Sequence, residues 1–142
     1  MSVKSVLLIT YPFPPMKGSS AQQRMLSFAK YLPAYGWRPL VLSVHPRAYP
    51  ERQNGQMHDL PADTVVKRAF ALDSARHLAV KGSYARFTAY PDRWSSWWFG
   101  GTFSGLQLIR RYRPELIWST FPIATAHLIG LTLNRLTGVP WI

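Results

Sequence analysis

The sequence predicts the α/β class, an open and mostly parallel sheet with helices on both faces. Three observations predict it. Short, largely apolar, β-prone runs recur along the chain at Val3–Thr10, Leu40–Val44 and Glu115–Ser119, as expected of strands buried on both faces. Stretches of helical period lie between them. The junctions carry prolines and glycines, which break one element from the next.

The first run ends in Tyr11-Pro12-Phe13-Pro14-Pro15-Met16-Lys17-Gly18-Ser19-Ser20. Three prolines and a glycine cannot continue a central strand, so this segment is a loop. A helix follows. Ser19 with Gln22, or Ser20 with Gln23, has the spacing of a capping box. Met25, Phe28, Ala29 and Leu32 recur as one apolar stripe. Pro33 weakens the last turn, and Gly36 stands where a left-handed cap is needed. Leu40–Val44 is the second strand, and the unit is a βαβ crossover, right-handed by rule.

Residues 45–63 read as an exposed connection. Thr64–Ala71 is the third strand. Ala75–Val80 fits a short helix, and Gly82–Ser96 reads as a loop. Trp97–Tyr112 is helical in period, with Phe99, Phe103, Leu106 and Ile109 on one face; Gly100, Gly101 and Gly105 suggest a late start. Glu115–Ser119 is the fourth strand. Thr120-Phe121-Pro122 turns the chain, Ala124–Leu136 is a buried helix, and Gly138 caps it. Val139–Ile142 begins a fifth strand. A domain seldom ends on the first residues of an inner strand, so a truncated domain is the expectation. The whole reads as a Rossmann-like, doubly wound sheet.

Composition narrows the function. The 142 residues fit one domain, and a hydrophobic share of 47% suffices for a core. No cysteine is present, which excludes disulfides and thiolate metal sites. The apolar run at the N-terminus is too short for a signal-peptide core, and a cytoplasmic location is expected. The formal charge of +11 favours anionic partners, a peripheral contact with the inner membrane face among them. Trp94, Trp97, Trp98 and Phe99, beside Arg86 and Arg93, fit either a headgroup contact or core, with core expected for at least two. No nucleic-acid signature is present, so no nucleic-acid partner is expected. The four histidines lack ligand spacing, so no metal is expected, and no cofactor is implied.

In doubly wound sheets ligands sit at the carboxyl ends of strands, where strand order reverses. With the order 3-2-1-4-5, the loops at 11–20 and 119–124 flank that point. In the first, Gly18 permits close approach or positive φ. The amides of Ser19, Ser20 and Ala21 open a helix at the positive end of its dipole, a place suited to phosphate, and Lys17 and Arg24 add charge. An ordinary capped loop fits the same spacing, which is neither a Walker loop nor Gly-x-Gly-x-x-Gly. In the second loop Ser119 and Thr120 offer hydroxyls. His127 lies on the next helix as a hydrogen-bond donor, a general base, or a helix histidine bonded to a carbonyl or water.

The residues from Tyr11 to Ser19, then Arg24, Leu26–Leu32 and Gly36-Trp37, resemble the opening of family-4 glycosyltransferases of the GT-B fold. Arg113–Pro122, Ala126–Gly130 and Thr137–Ile142 resemble that family's later strand, loop and helix. Position 19 is Ser where the family often has a second glycine, and position 115 is Glu where Asp is usual. The resemblance covers about the whole chain and implies that residues 1–142 are the N-terminal, acceptor-side domain, without the C-terminal donor-binding domain and its paired glutamates.

It further implies a retaining, metal-free transfer of a sugar from a nucleoside diphosphate sugar to a sugar or lipid-linked acceptor. Gly18, Ser19, Ser20 and Arg24 would face the donor phosphates; Ser119 and Thr120, with His127 as the catalytic candidate, would face the acceptor. One domain alone is expected to be inactive. The alternative is a non-catalytic module that binds an anionic membrane surface or a partner subunit. A second copy pairing along the unfinished sheet edge is a further expectation.

Overall fold

The computed structural model describes residues 2–53, 59–71 and 94–142. Four parallel strands, β1 (Lys4–Ile9), β2 (Trp37–Val44), β3 (Val65–Ala69) and β4 (Leu116–Ser119), form one sheet in the order β3-β2-β1-β4. Trp141 bridges Ile117 in parallel on the far side of β4. Three bonds secure it: Ile117 N–H to Pro140 O at 2.8 Å, and Ser119 N–H to Ile142 O and Ile142 N–H to Ile117 O, both at 3.0 Å. The sheet is therefore the Rossmann-like arrangement that the apolar runs predict, with order reversing between β1 and β4.

Among the described residues the α-helices are α1 (Ser20–Tyr31), α2 (Trp97–Tyr112) and α3 (Ala124–Thr137). Alternation along the strands assigns them to faces. Val6, Leu8 and Val41 pack with Phe13, Met25, Leu26 and Ala29 on the α1 side. Leu7, Ile9, Leu40, Leu42 and Ile117 pack with Trp97, Ile109, Ile129 and Leu133 on the α2 and α3 side. Each fully buried aliphatic of this kind contributes about 1.5–3 kcal/mol of transfer free energy.

Several expectations are corrected. Phe28 is not in the α1 core stripe; it is exposed and meets Trp118 edge-on at 4.5 Å, while Leu26 is buried in its place. α2 begins at Trp97, and its buried face is Trp97, Gly101, Ser104, Gly105, Leu108 and Ile109. Phe99 and Phe103 are 70% and 65% exposed. The reason is close helix packing: a Cβ on Gly101 would lie 2.4 Å from Ile129 Cδ1, and one on Gly105 2.5 Å from Leu133 Cδ1. The glycines carry the interface instead of weakening the start.

The 45–63 connection is not wholly exposed, because Ala48 and Tyr49 are buried behind a short 3-10 turn at Pro46–Ala48. Of the tryptophan cluster, Trp97 is core, Trp98 is half-buried with its Nε1–H on Thr132 Oγ1 at 2.9 Å, and Phe99 is exposed. The expected 75–80 helix, most of the 82–96 loop, and Arg86 and Arg93 lie outside the described residues.

Helix ends follow their caps. Ser19, extended at φ −140°, accepts from Gln22 N–H at 3.2 Å, which selects the first of the two capping registers. Leu32–Tyr35 tightens into a 3-10 turn at Pro33, and Gly36 closes it at φ 78°. Gly138 closes α3 at φ 75°.

Candidate functional site

The loop after β1 is held from below by a buried polar network. Tyr49 Oη donates to Tyr11 O at 2.7 Å, and Tyr11 Oη donates to Ala48 O at 3.0 Å. Ser43 Oγ lies 3.0 Å from Tyr49 Oη and 3.1 Å from Tyr11 O. Arg68, on the edge strand, reaches in with donors to Val44 O, Tyr49 Oη and Pro14 O, and stacks on Phe13 at 5.5 Å. A cation supplied with carbonyl and hydroxyl acceptors can sit here without a carboxylate. Burial pushes the Tyr49 phenol up, and the Arg68 charge pulls in the opposite direction.

The rest of the loop is tied to residues 51–53. Met16 and Arg52 form an antiparallel bridge, Gln53 N–H donates to Pro15 O at 2.7 Å, and Lys17 N–H donates to Glu51 O at 3.0 Å. The Lys17 ammonium also pairs with Glu51 at 2.7 Å, fully in solvent. Their hydrogen bond raises the lysine pKa and lowers the carboxyl pKa. Lys17 lies outside the cleft lining, as does Gly18. Gly18 is not in the left-handed region. A Cβ there would meet only Gln23 Nε2, at 3.9 Å, so no protein contact demands a glycine.

Ser19, Ser20, Ala21 and Arg24 do line the cleft. Ser19 spends its hydroxyl on Gln22 N–H, and its carbonyl takes Gln23 N–H at 3.0 Å. The amides of Ser20 and Ala21 have no intrahelical acceptor because they belong to the first turn. Both residues line the cleft at the positive end of the α1 dipole.

The second loop closes the other wall. Arg24 Nη2 donates to Thr120 Oγ1 at 2.9 Å and to Phe121 O at 3.3 Å. The amide-bearing end of α1 and the corner after β4 thus form one site at the strand-order reversal. The cleft measures about 530 Å³, and Tyr11, Pro12, Met16, Pro50, Trp94, Phe121, Pro122 and Ile123 complete its lining. Ser119 and His127 stand outside that lining and bond to each other, Oγ to Nδ1 at 2.7 Å. The site therefore groups Ser19, Ser20 and Arg24; Thr120, buried behind the lining, joins them only through its bond to Arg24, and Gly18, Ser119 and His127 also lie outside the lining.

Residue-by-residue reading missed the aromatic part of the wall. Tyr11 and Trp94 lie 4.8 Å apart, ring to ring. The available signal was the position of Tyr11, at the carboxyl end of β1. Arg68, Tyr49 and Ser43 were also missed, because their network joins segments distant in sequence.

No family model matches the chain, and no curated protein matches it. Among solved structures, MurG of Acinetobacter baumannii superposes with a TM-score of 0.56 at 18% identity, over 97% of this chain and 34% of that one. The chain is similar to MurG in fold. It spans about a third of the length of that protein, and the match bears on the sheet, helices and crossovers, the GT-B type of Rossmann-like domain. Among the described residues, no helix is long and apolar enough to cross a membrane.

Proposed function

We propose that the chain is the N-terminal, acceptor-side domain of a family-4 glycosyltransferase, acting on a nucleoside diphosphate sugar and a sugar or lipid-linked acceptor. One observation carries this reading: Arg24 bonds α1 to the Thr120–Phe121 corner, and the start of α1 and Phe121 line a single cleft. The fold likeness to MurG, a GT-B glycosyltransferase, supports it.

The chemistry follows from charge. As the bond from sugar to diphosphate breaks, the leaving group becomes more negative. The Ser20 and Ala21 amides and the guanidinium are fixed donors, so they stabilise that charge more than the ground state. Arg24 spends part of its fork on Thr120 and Phe121, which orients the rest; five N–H donors are available in all. The acceptor lies towards the corner after β4, where Phe121, Pro122 and Ile123 line the cleft; His127 meets an acceptor hydroxyl from just outside that lining, while Ser119 and Thr120 hold His127 and Arg24 in place. Gly18, bearing no side chain, leaves the rim open beside the phosphates. A second domain supplies the nucleoside pocket and excludes water on closure.

The test is calorimetric titration of the 142-residue chain with nucleoside diphosphates and the matching monophosphates. Preference for the diphosphate, lost in Arg24→Ala, is expected; equal binding of both, unaffected by the substitution, contradicts the reading. By itself the chain is expected to show no measurable turnover of a nucleotide sugar, and turnover would overturn the division between domains.

A peripheral contact with an anionic membrane surface is a second reading, favoured by α2. Phe99, Phe103, Gln107 and Arg110 succeed one another along an exposed stripe. Lys67, Arg110 and Arg111 line a neighbouring groove of about 660 Å³. Aromatic rings beside cations suit an anionic interface. Co-sedimentation with phosphatidylglycerol vesicles, but not with phosphatidylcholine vesicles, and its loss in Phe99→Ala/Phe103→Ala are the expected results. Equal sedimentation of both proteins removes the reading.

A further inference from the structure

The corner after β4 holds a three-membered relay of side chains. The Trp141 indole Nε1–H, which can only donate, donates to Ser119 Oγ at 2.8 Å. Ser119 Oγ and His127 Nδ1 lie 2.7 Å apart. Ser119 is buried, and among the described residues its oxygen has no third partner. A hydroxyl has one proton, and a buried proton without an acceptor is costly. The proton therefore points at Nδ1, which must be bare to receive it. A neutral imidazole then carries its hydrogen on Nε2. Among the described residues that nitrogen has no protein partner, and the side chain is half-buried.

The backbone is shaped for this relay. A Cβ on Gly130 would lie 2.4 Å from Trp141 Nε1 and 2.9 Å from its Cδ1. Only a glycine at that point of α3 lets the indole lie flat enough to aim Nε1–H at Ser119. Trp141 is itself held in place by the bonds between residues 140–142 and β4.

We propose that Trp141 is a positioning residue: through Ser119 it fixes His127 as the Nε2–H tautomer. The histidine then presents a hydrogen-bond donor, and no basic lone pair, to a hydroxyl oxygen of the sugar acceptor. Of the two chemical roles that the sequence allows His127, donor and base, the relay selects the donor. That last step rests on the sugar-transfer reading, whereas the tautomer does not, so the two fail separately.

The test is long-range proton–nitrogen correlation of the imidazole rings in the ligand-free, nitrogen-15-labelled chain, at an alkaline pH where imidazole is neutral. His127→Gln assigns the signal. In the wild type, His127 is expected wholly as Nε2–H, with Nδ1 in the range of a hydrogen-bonded acceptor. Ser119→Ala should return the ring to the mixed tautomers of a free imidazole and speed solvent exchange of the Trp141 indole proton. Ser119→Thr, which keeps the hydroxyl, should restore both. Trp141→Phe and Gly130→Ala should loosen the tautomer preference with the serine intact. A wild-type ring protonated on Nδ1 would overturn the proposal. So would a ring spectrum unchanged by Ser119→Ala, a reading that stands even where Trp141→Phe does not fold.

Discussion

Arg24 and Thr120, 96 positions apart in sequence, meet at 2.9 Å through Nη2 and Oγ1. A single guanidinium thereby fixes the spacing between the two loops that leave β1 and β4. Removing it should cost ligand affinity more than stability. A charge-assisted bond is worth about 1.5–3 kcal/mol, and about 1.4 kcal/mol is a decade in affinity. Arg24→Ala should therefore weaken pyrophosphate binding roughly 10- to 100-fold. Arg24→Lys should recover only part of it, because an ammonium cannot hold Thr120 and a phosphate in one planar fork. Calorimetric titration of the three proteins checks this order.

Ser19 allows the cap and the anion site to be separated. Ser19→Ala should cost about 1 kcal/mol of stability in urea unfolding, since Gln22 N–H loses its partner. Ser19→Asp should keep the cap and leave stability within about 0.5 kcal/mol of the wild type. Its carboxylate would nevertheless stand where a phosphate is expected and repel it. An aspartate variant that is stable and binds pyrophosphate as well as the wild type would count against an anion at this helix end.

The sheet was legible because parallel strands buried on both faces read as apolar runs, and their carboxyl ends located both loops. The α2 face was not, for a physical reason. A stripe drawn through large residues finds Phe99 and Phe103, but this helix packs through Gly101 and Gly105 against Ile129 and Leu133. Close packing of backbones depends on missing side chains, which hydrophobic periodicity does not register. In the site, each loop was legible from topology and the meeting of Arg24 with Thr120 was not, since no local spacing encodes a bond across 96 positions. Tyr49 and Arg68 escaped for the same reason.

The glycines of α2 should respond unequally to alanine. At Gly100 the new Cβ would sit 2.4 Å from the Phe70 carbonyl oxygen, which is backbone. At Gly105 it would meet Leu133 Cδ1, the end of a side chain that can turn. Gly100→Ala should therefore destabilise by about 1–3 kcal/mol. Gly105→Ala should cost less, offset by a helix-propensity gain of about 0.5–1 kcal/mol. Denaturant midpoints of the two variants measure the difference.

Tyr49 gives a pH dependence with a definite sign. Burial raises its folded-state pKa above the ordinary phenol value, about 10. On raising the pH the unfolded chain loses this proton first, and so binds fewer protons than the folded one. The contribution is present in full below the unfolded pKa and is lost as pH rises through the folded one. Unfolding free energy should fall above about pH 10, and Tyr49→Phe should flatten that fall. Parallel slopes for the two proteins would contradict it.

The most direct measurement is an amide shift map of the chain titrated with inorganic pyrophosphate. The account predicts the largest perturbations at the Ser20 and Ala21 amides and at the Arg24 side chain, with Thr120 and Phe121 following. Perturbations confined to the Lys67, Arg110 and Arg111 groove, with the start of α1 unmoved, would contradict it.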